Sequence, residues 1–195
     1  MSIDAGASAR TARESVIAAA RACYAEFGVE AARMEDIARR AGISRQHLYS
    51  FVSGRDELLE LAVMARLGEI GAGLAERATE RAGDLVAVLV DQIADGVRIG
   101  REDPEFTVLA ESMPRVRLNH ILTSRDSPLH AINHRIYAPI FARAMAEGRL
   151  RTDVTTDSMV EWLQGVMTLL AGRDDLGEDE QRAMIESYVI PTLLA

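Results

Sequence analysis

Residues 34–52 read MEDIARRAGISRQHLYSFV, and the punctuation of this stretch decides how the chain folds. Ile37, Ala38 and Ala41 recur on one side of a short helix, the side a core would take. Gly42 then supplies the left-handed conformation that ends a helix in a sharp turn. Ile43 is placed to plug the angle between two helices, and Ser44 to cap the second, expected over about 45–51. Only Leu48 and Val52 clearly point inward there. The other face shows Arg45, Gln46, His47 and Tyr49, a set able to donate to base edges and phosphates. An ordinary solvent-facing helix of this length would more often show Glu and Lys. The physics is that of a helix-turn-helix.

Outward from this stretch, helical punctuation is dense and strand patterns are nearly absent. Thr11-Ala12-Arg13-Glu14 reads as a capping box, followed by Val16, Ile17, Ala20, Tyr24 and Phe27 at helical spacing and by Gly28 as a stop. Ser53 can cap a fourth helix that starts near Gly54. Further helices are expected over about 84–100, from Asp103-Pro104-Glu105, from Ser127-Pro128 to near Gly148, over 156–171, and from about Glu178 to the end. Pro191 should distort that last helix. Arg115–Asp126 is the least patterned stretch and reads as a loop. The expectation is an all-α chain of about nine helices without repeats. Residues 1–53 form a three-helix DNA-binding domain with a flexible tail over 1–10, and residues 54–195 form a second helical domain.

Bulk properties narrow the classes. The chain has 195 residues, 48% of them apolar, enough to bury a sizeable core. One cysteine, Cys23, permits neither an intrachain disulfide nor a CxxC metal pair, and reads as a small core residue. No apolar run approaches the roughly 18 residues of a membrane span, and the N-terminus lacks a signal peptide's apolar stretch. A cytoplasmic protein without membrane contact is expected. The net charge of −8 argues at first against nucleic acid, but its distribution is uneven. Residues 1–55 hold eight arginines and six acids, whereas the remaining 140 hold 14 arginines and 24 acids. A mildly basic head sits on an acidic body.

With these motifs in place, Arg10–Leu59 resembles the N-terminal domain of TetR-type (tetracycline-repressor-like) transcriptional regulators. The resemblance rests on Phe27-Gly28, Ile37-Ala38, Ala41-Gly42-Ile43-Ser44, Leu48-Tyr49 and Arg55-Asp56-Glu57-Leu58, in order and spacing. It implies a repressor that binds a near-palindromic double-stranded operator as a homodimer. A small molecule in the C-terminal domain would release it. By position, Gln46 and His47 would read bases, and Arg45 a base or a phosphate. Ser44, Tyr49 and Arg55 would hold phosphates, and the region of Arg10 and Arg13 could reach the backbone or a minor groove. Three departures stand out. Arg33 replaces a capping Thr and offers a phosphate contact instead; Phe51 replaces a phosphate-touching Tyr or His; Val52 replaces a core Phe.

The C-terminal part carries fainter signals. The helix over 156–171 is apolar on more than one face, which argues for a second copy as partner. Met159, Leu163, Val166, Met167 and Leu170, with Ile185, Tyr188 and Val189 of the last helix, are the candidate dimer interface; a fully internal helix is the competing reading. Candidate pocket residues are Phe106, Leu109, Met113, Tyr137, Phe141 and Trp162, with Asn133, His134 or Gln92 as polar anchors, for an effector that is largely apolar. Gly68, Gly71 and Gly73 serve either as a hinge in the fourth helix or as sites of close packing. His130 and His134 stand at a spacing able to hold a metal, but no carboxylate or cysteine is evident nearby, so no metal and no cofactor are expected. Arg39 and Arg40 read as solvated. A helical enzyme would need a convergent catalytic set, and none is visible, so no catalytic residue is assigned. A sequence-neutral DNA binder conflicts with the acidic body.

Overall fold

The computed structural model describes residues 3–195, with side chains from Arg10 onward. Its ten α-helices are α1 (Ile3–Phe27), α2 (Met34–Arg40), α3 (Arg45–Leu48), α4 (Arg55–Glu80), α5 (Leu85–Glu102), α6 (Pro104–Glu111), α7 (Arg115–Thr123), α8 (Pro128–Ala146), α9 (Thr156–Ala171) and α10 (Glu178–Met184). Among the described residues, extended pairing is limited to one isolated bridge, Leu150 with Leu194. The architecture is all-α. The helix beyond the expected set is α7, in the stretch read as a loop. It buries only Ile121 fully, so its sequence shows little apolar period.

The chain forms two compact units, one up to Arg66 together with Pro104–Pro114 and one made of Leu67–Asp103 with Arg115–Ala195. In the first unit, α1 lays Val16, Ala20, Cys23 and Tyr24 into a core shared with Ile37, Leu48, Leu58 and Ala62. α1 differs from expectation at its start. Thr11–Glu14 lies inside the helix rather than at its cap, and the backbone is helical from Ile3, where a flexible tail was expected. Three alanines between Ile3 and Arg10 favour this, since alanine has the highest helix propensity. Residues 1 and 2 of that expected tail lie outside the described residues. α6 joins this unit through Glu105, whose carboxylate takes both Nε and Nη2 of Arg21, at 2.6 and 2.8 Å.

In the second unit, caps set the helix starts. Asp84 Oδ2 accepts from the backbone N–H groups of Val86 and Ala87, Ser127 Oγ from Leu129, and Thr155 Oγ1 from Ser158. These are the donors that a first helical turn leaves unsatisfied. α9 packs on α5, α7 and α8, which accounts for its broad apolar surface. The last helix widens after Met184 into a π-type turn (Ile185–Val189) and a 3-10 turn (Ile190–Thr192) around Pro191. Of the three α4 glycines, Gly71 is a site of close approach: a Cβ there would collide with Ile132 on α8.

Candidate nucleic-acid interface

The interface is built from the turn outward. α2 buries Met34, Ile37 and Ala38. It stops because Gly42 adopts φ +70°, which lets Ile43 N–H reach the Ala38 carbonyl at 3.0 Å and Gly42 N–H the Arg39 carbonyl at 3.1 Å. That pair of bonds is a Schellman motif; it satisfies carbonyls that the helix end would otherwise strand. Ser44 then turns extended (φ −73°, ψ 153°), and its Oγ accepts from His47 N–H at 3.1 Å. α3 therefore begins at a fixed point and in a fixed direction after α2.

α3 is shorter than expected. Its α-helical part ends at Leu48, and Ser50 and Phe51 continue with tighter bonds to the carbonyls of His47 and Leu48. Ser50 Oγ also donates to the His47 carbonyl at 2.6 Å. Leu48 is wholly buried, whereas Arg45, Gln46, His47 and Tyr49 are exposed. The Arg45 guanidinium lies 5.7 Å from the Tyr49 ring centre, a cation–π distance, and the His47 ring meets the edge of Phe51 at 4.9 Å. Phe51, which offers no hydrogen bond to a phosphate, instead braces His47. Val52 is buried in the core.

Around this face, Arg33 is exposed at the start of α2 and its side chain makes no capping bond. Arg55 differs from a free phosphate ligand, because its Nη2 donates to the carbonyls of Val29 and Glu30, both at 3.0 Å, tying the α1–α2 turn to the start of α4. Glu57 closes the α4 end by accepting from Ser53 N–H and Oγ, each at 2.7 Å. Arg13 is exposed and 3.8 Å from Glu57. Arg39 pairs with Asp36 and Arg40 with Glu26, both at the surface. Cys23 is buried, and that burial pushes its thiol upward, away from the reactive thiolate. Burial likewise pushes the Tyr24 phenol up to about 12.

The candidate pocket residues do not form one set. Phe106, Leu109 and Met113 are buried in the segment that belongs to the first unit, where Leu109 helps line a cavity of about 480 Å³ with Arg21, Tyr24 and Val108. Asn133, Tyr137 and Phe141 are buried in the second unit, with the Tyr137 and Phe141 rings stacked at 5.9 Å. His134 and Trp162 are exposed, so neither serves as an interior anchor. Trp162 donates to Thr192 Oγ1 at 2.9 Å beside a cavity of about 250 Å³. His130 is buried with Nε2 2.8 Å from Asp157 Oδ1, and so does not converge with His134 on a metal. Among the described residues no group of three or more His, Cys, Asp or Glu is arranged to hold one.

The candidate dimer residues also divide. Met159, Leu163, Val166, Leu170, Ile185 and Val189 are buried within the chain and are spent on its own core, while Met167 is half-buried. The apolar side chains these helices leave outside are Trp162, Leu169 and Tyr188, exposed by 50, 65 and 71%. Periodicity marked the helices as apolar on several sides without telling which side the rest of the chain would cover.

A capped α3 projected from a Schellman turn, with one buried anchor and four exposed donors, defines a helix-turn-helix DNA-binding protein. Residues 16–62 match the family model described as bacterial regulatory proteins, tetR family. Over these residues the chain is similar to TetR-type transcription regulators, which bind DNA. It is 24% identical, over 97% of its length and 98% of theirs, to the proteins named HTH-type transcriptional repressor AcnR in Corynebacterium efficiens and Corynebacterium glutamicum. Its fold is shared with the repressor QsdR of R. erythropolis (TM-score 0.66, 19% identity, 93% of this chain and 95% of that one). It is shared too with RolR in complex with resorcinol (TM-score 0.63, 17% identity, 96% and 90%). No helix among the described residues is long and apolar enough to cross a membrane.

Proposed function

We propose that this regulator is a cytoplasmic repressor that binds a near-palindromic operator as a homodimer and is released by a small, largely apolar molecule. In this reading residues 1–53 bind DNA, and residues 54–195 take the effector and join the two copies. Gln46 and His47 read base edges from the start of α3. Arg45 adds a base or phosphate contact, held over Tyr49. Ser44, Tyr49 and Arg33 hold phosphates, and Arg55 contributes through whatever its Nη2 leaves unused. Repression follows from sterics, since a dimer over a promoter excludes polymerase.

The observation that carries the reading is the α3 face, where Arg45, Gln46, His47 and Tyr49 are exposed together above the buried Leu48. Similarity to the AcnR transcriptional repressors supports repression, and the resorcinol complex of RolR supports a small effector. The test is selection of bound duplexes from a random pool at physiological salt. An enriched two-fold symmetric motif is expected. Enrichment without symmetry would overturn the dimer, and absence of enrichment would overturn specific readout.

A further inference from the structure

The interior of the second unit holds polar groups whose needs the protein does not meet. Gln92 on α5 is fully enclosed; its Nε2 donates to the Leu74 carbonyl at 3.2 Å, and no protein group donates to its Oε1. Arg81, which follows α4, pairs through Nη2 with Asp95, while its Nη1 is enclosed and makes no hydrogen bond. Buried polar atoms are seldom left in this state. Asp95 and Gly96 lie three and four positions after Gln92, on the same face of α5.

Met167 closes that face. A Cβ placed on Gly96 would collide with the Met167 methyl, and Leu74 lies beside the same spot. The Met167 sulfur is also the acceptor for the Tyr137 hydroxyl, at 3.1 Å, and a thioether is a weak acceptor. Burial raises the Tyr137 phenol well above its ordinary range and the Arg81 charge opposes that rise, so the phenol is a neutral donor near the guanidinium. One flexible side chain thus fills a glycine notch and occupies the tyrosine hydroxyl together. Methionine, unbranched and with three rotatable side-chain bonds, is suited to leave such a place.

We propose that this seam is an effector site closed by Met167, and that its ligand is a small, largely apolar carboxylate carrying a hydroxyl or N–H donor. The carboxylate takes Arg81 Nη1 and the hydroxyl of Tyr137; the ligand's donor takes Gln92 Oε1; its apolar body lies against Leu74 in the notch that Met167 vacates. This rests on the reading that the second unit takes the effector, and it deepens that reading by naming the ligand's chemistry and the side chain that admits it.

The probe is 4-hydroxybenzoate, titrated into the full chain by calorimetry beside 4-methoxybenzoate, which lacks the donor. Wild-type protein should bind the hydroxy compound saturably and prefer it by roughly fivefold, the worth of one hydrogen bond. Gln92→Leu should erase that preference. Met167→Ala should tighten both ligands, because the plug no longer has to move. The two variants are read independently, so misfolding of one leaves the other decisive. No binding to wild-type protein, a preference that survives Gln92→Leu, or Met167→Ala without tightening overturns the proposal. DNA release is measured separately on a selected duplex. Binding with the expected variant pattern but without release keeps the site and refutes effector release. Release by a library compound with equal potency from wild type and both variants keeps effector release and refutes the site.

Discussion

Replacing Gly42 by alanine should weaken the first unit by about 1 kcal/mol while leaving base preference intact. The magnitude follows from the turn. Gly42 sits at φ +70°, and a Cβ built there meets no heavy atom within 4 Å. The cost is therefore backbone strain alone, about 1–2 kcal/mol for an L-residue in the left-handed region. Lower freedom of the unfolded alanine chain offsets about 0.4–1 kcal/mol of this. Gly42→Asn should lose less, since asparagine visits this region more readily. Urea denaturation followed by circular dichroism gives the stability. Hydrogen exchange at Ile43 and Leu48, whose N–H groups bond the Ala38 and Ser44 carbonyls, localises it. Because Gly42 presents no side chain to DNA, the preferred operator should be unchanged once affinity is corrected for the folded fraction. An alanine variant more stable than wild type would refute the left-handed turn. A changed base preference would refute the separation of turn from reading face.

Other expected outcomes concern different parts of the molecule. Gln46→Ala and His47→Ala should each relax preference at one operator position by about 1–3 kcal/mol, whereas Tyr49→Phe should weaken all sequences alike; parallel selections on the three variants compare them. Leu169→Glu with Tyr188→Glu should give folded monomers by sedimentation, since both positions are exposed, while Leu163→Glu should unfold the chain because Leu163 is wholly buried. A folded dimer of the double variant would move the interface elsewhere. At Asp95, burial raises the carboxyl pKa, but hydrogen bonds from Arg98 and Arg81 outweigh it and hold the value below the usual carboxylate range. As pH falls from that range toward this lower value the unfolded state binds the proton first, so stability drops with acidification. Asp95→Asn should flatten that part of an acid melting series; an unchanged slope would remove Asp95 from the balance.

What the sequence discloses and what it hides have different physical ranges. The turn at Gly42, the cap at Ser44, the Ser127-Pro128 helix start and the exposed α3 set are local, decided within four residues, and could be read directly; the caps at Asp84 and Thr155 emerged only from the structure. α7 was hidden because RVRLNHILT buries only one residue fully and so carries almost no apolar period. The surface side of α9 was hidden because periodicity reports apolar faces, not which face the same chain covers. Arg21 and Glu105 are separated by 84 positions, and the grip of Arg55 on Val29 and Glu30 spans 26 and 25. No local pattern signals such partners. Gln92 could be named from the sequence as a candidate polar anchor, but that no protein group donates to its oxygen is visible only in the folded unit.

The short α3 separates two duties that many recognition surfaces mix. Leu48, Gly42 and the Ser44 cap hold the element in place, and none of them belongs to the pair proposed to read bases, Gln46 and His47. Exposed positions away from caps and cores tolerate substitution within about 0.5 kcal/mol, and Gln46 and His47 are exposed. A duplicated copy of such a protein can therefore drift to a new operator by changing two side chains while its foldedness is untouched. The address is rewritten without disturbing the envelope, so lineages of such regulators can diverge in target faster than in shape.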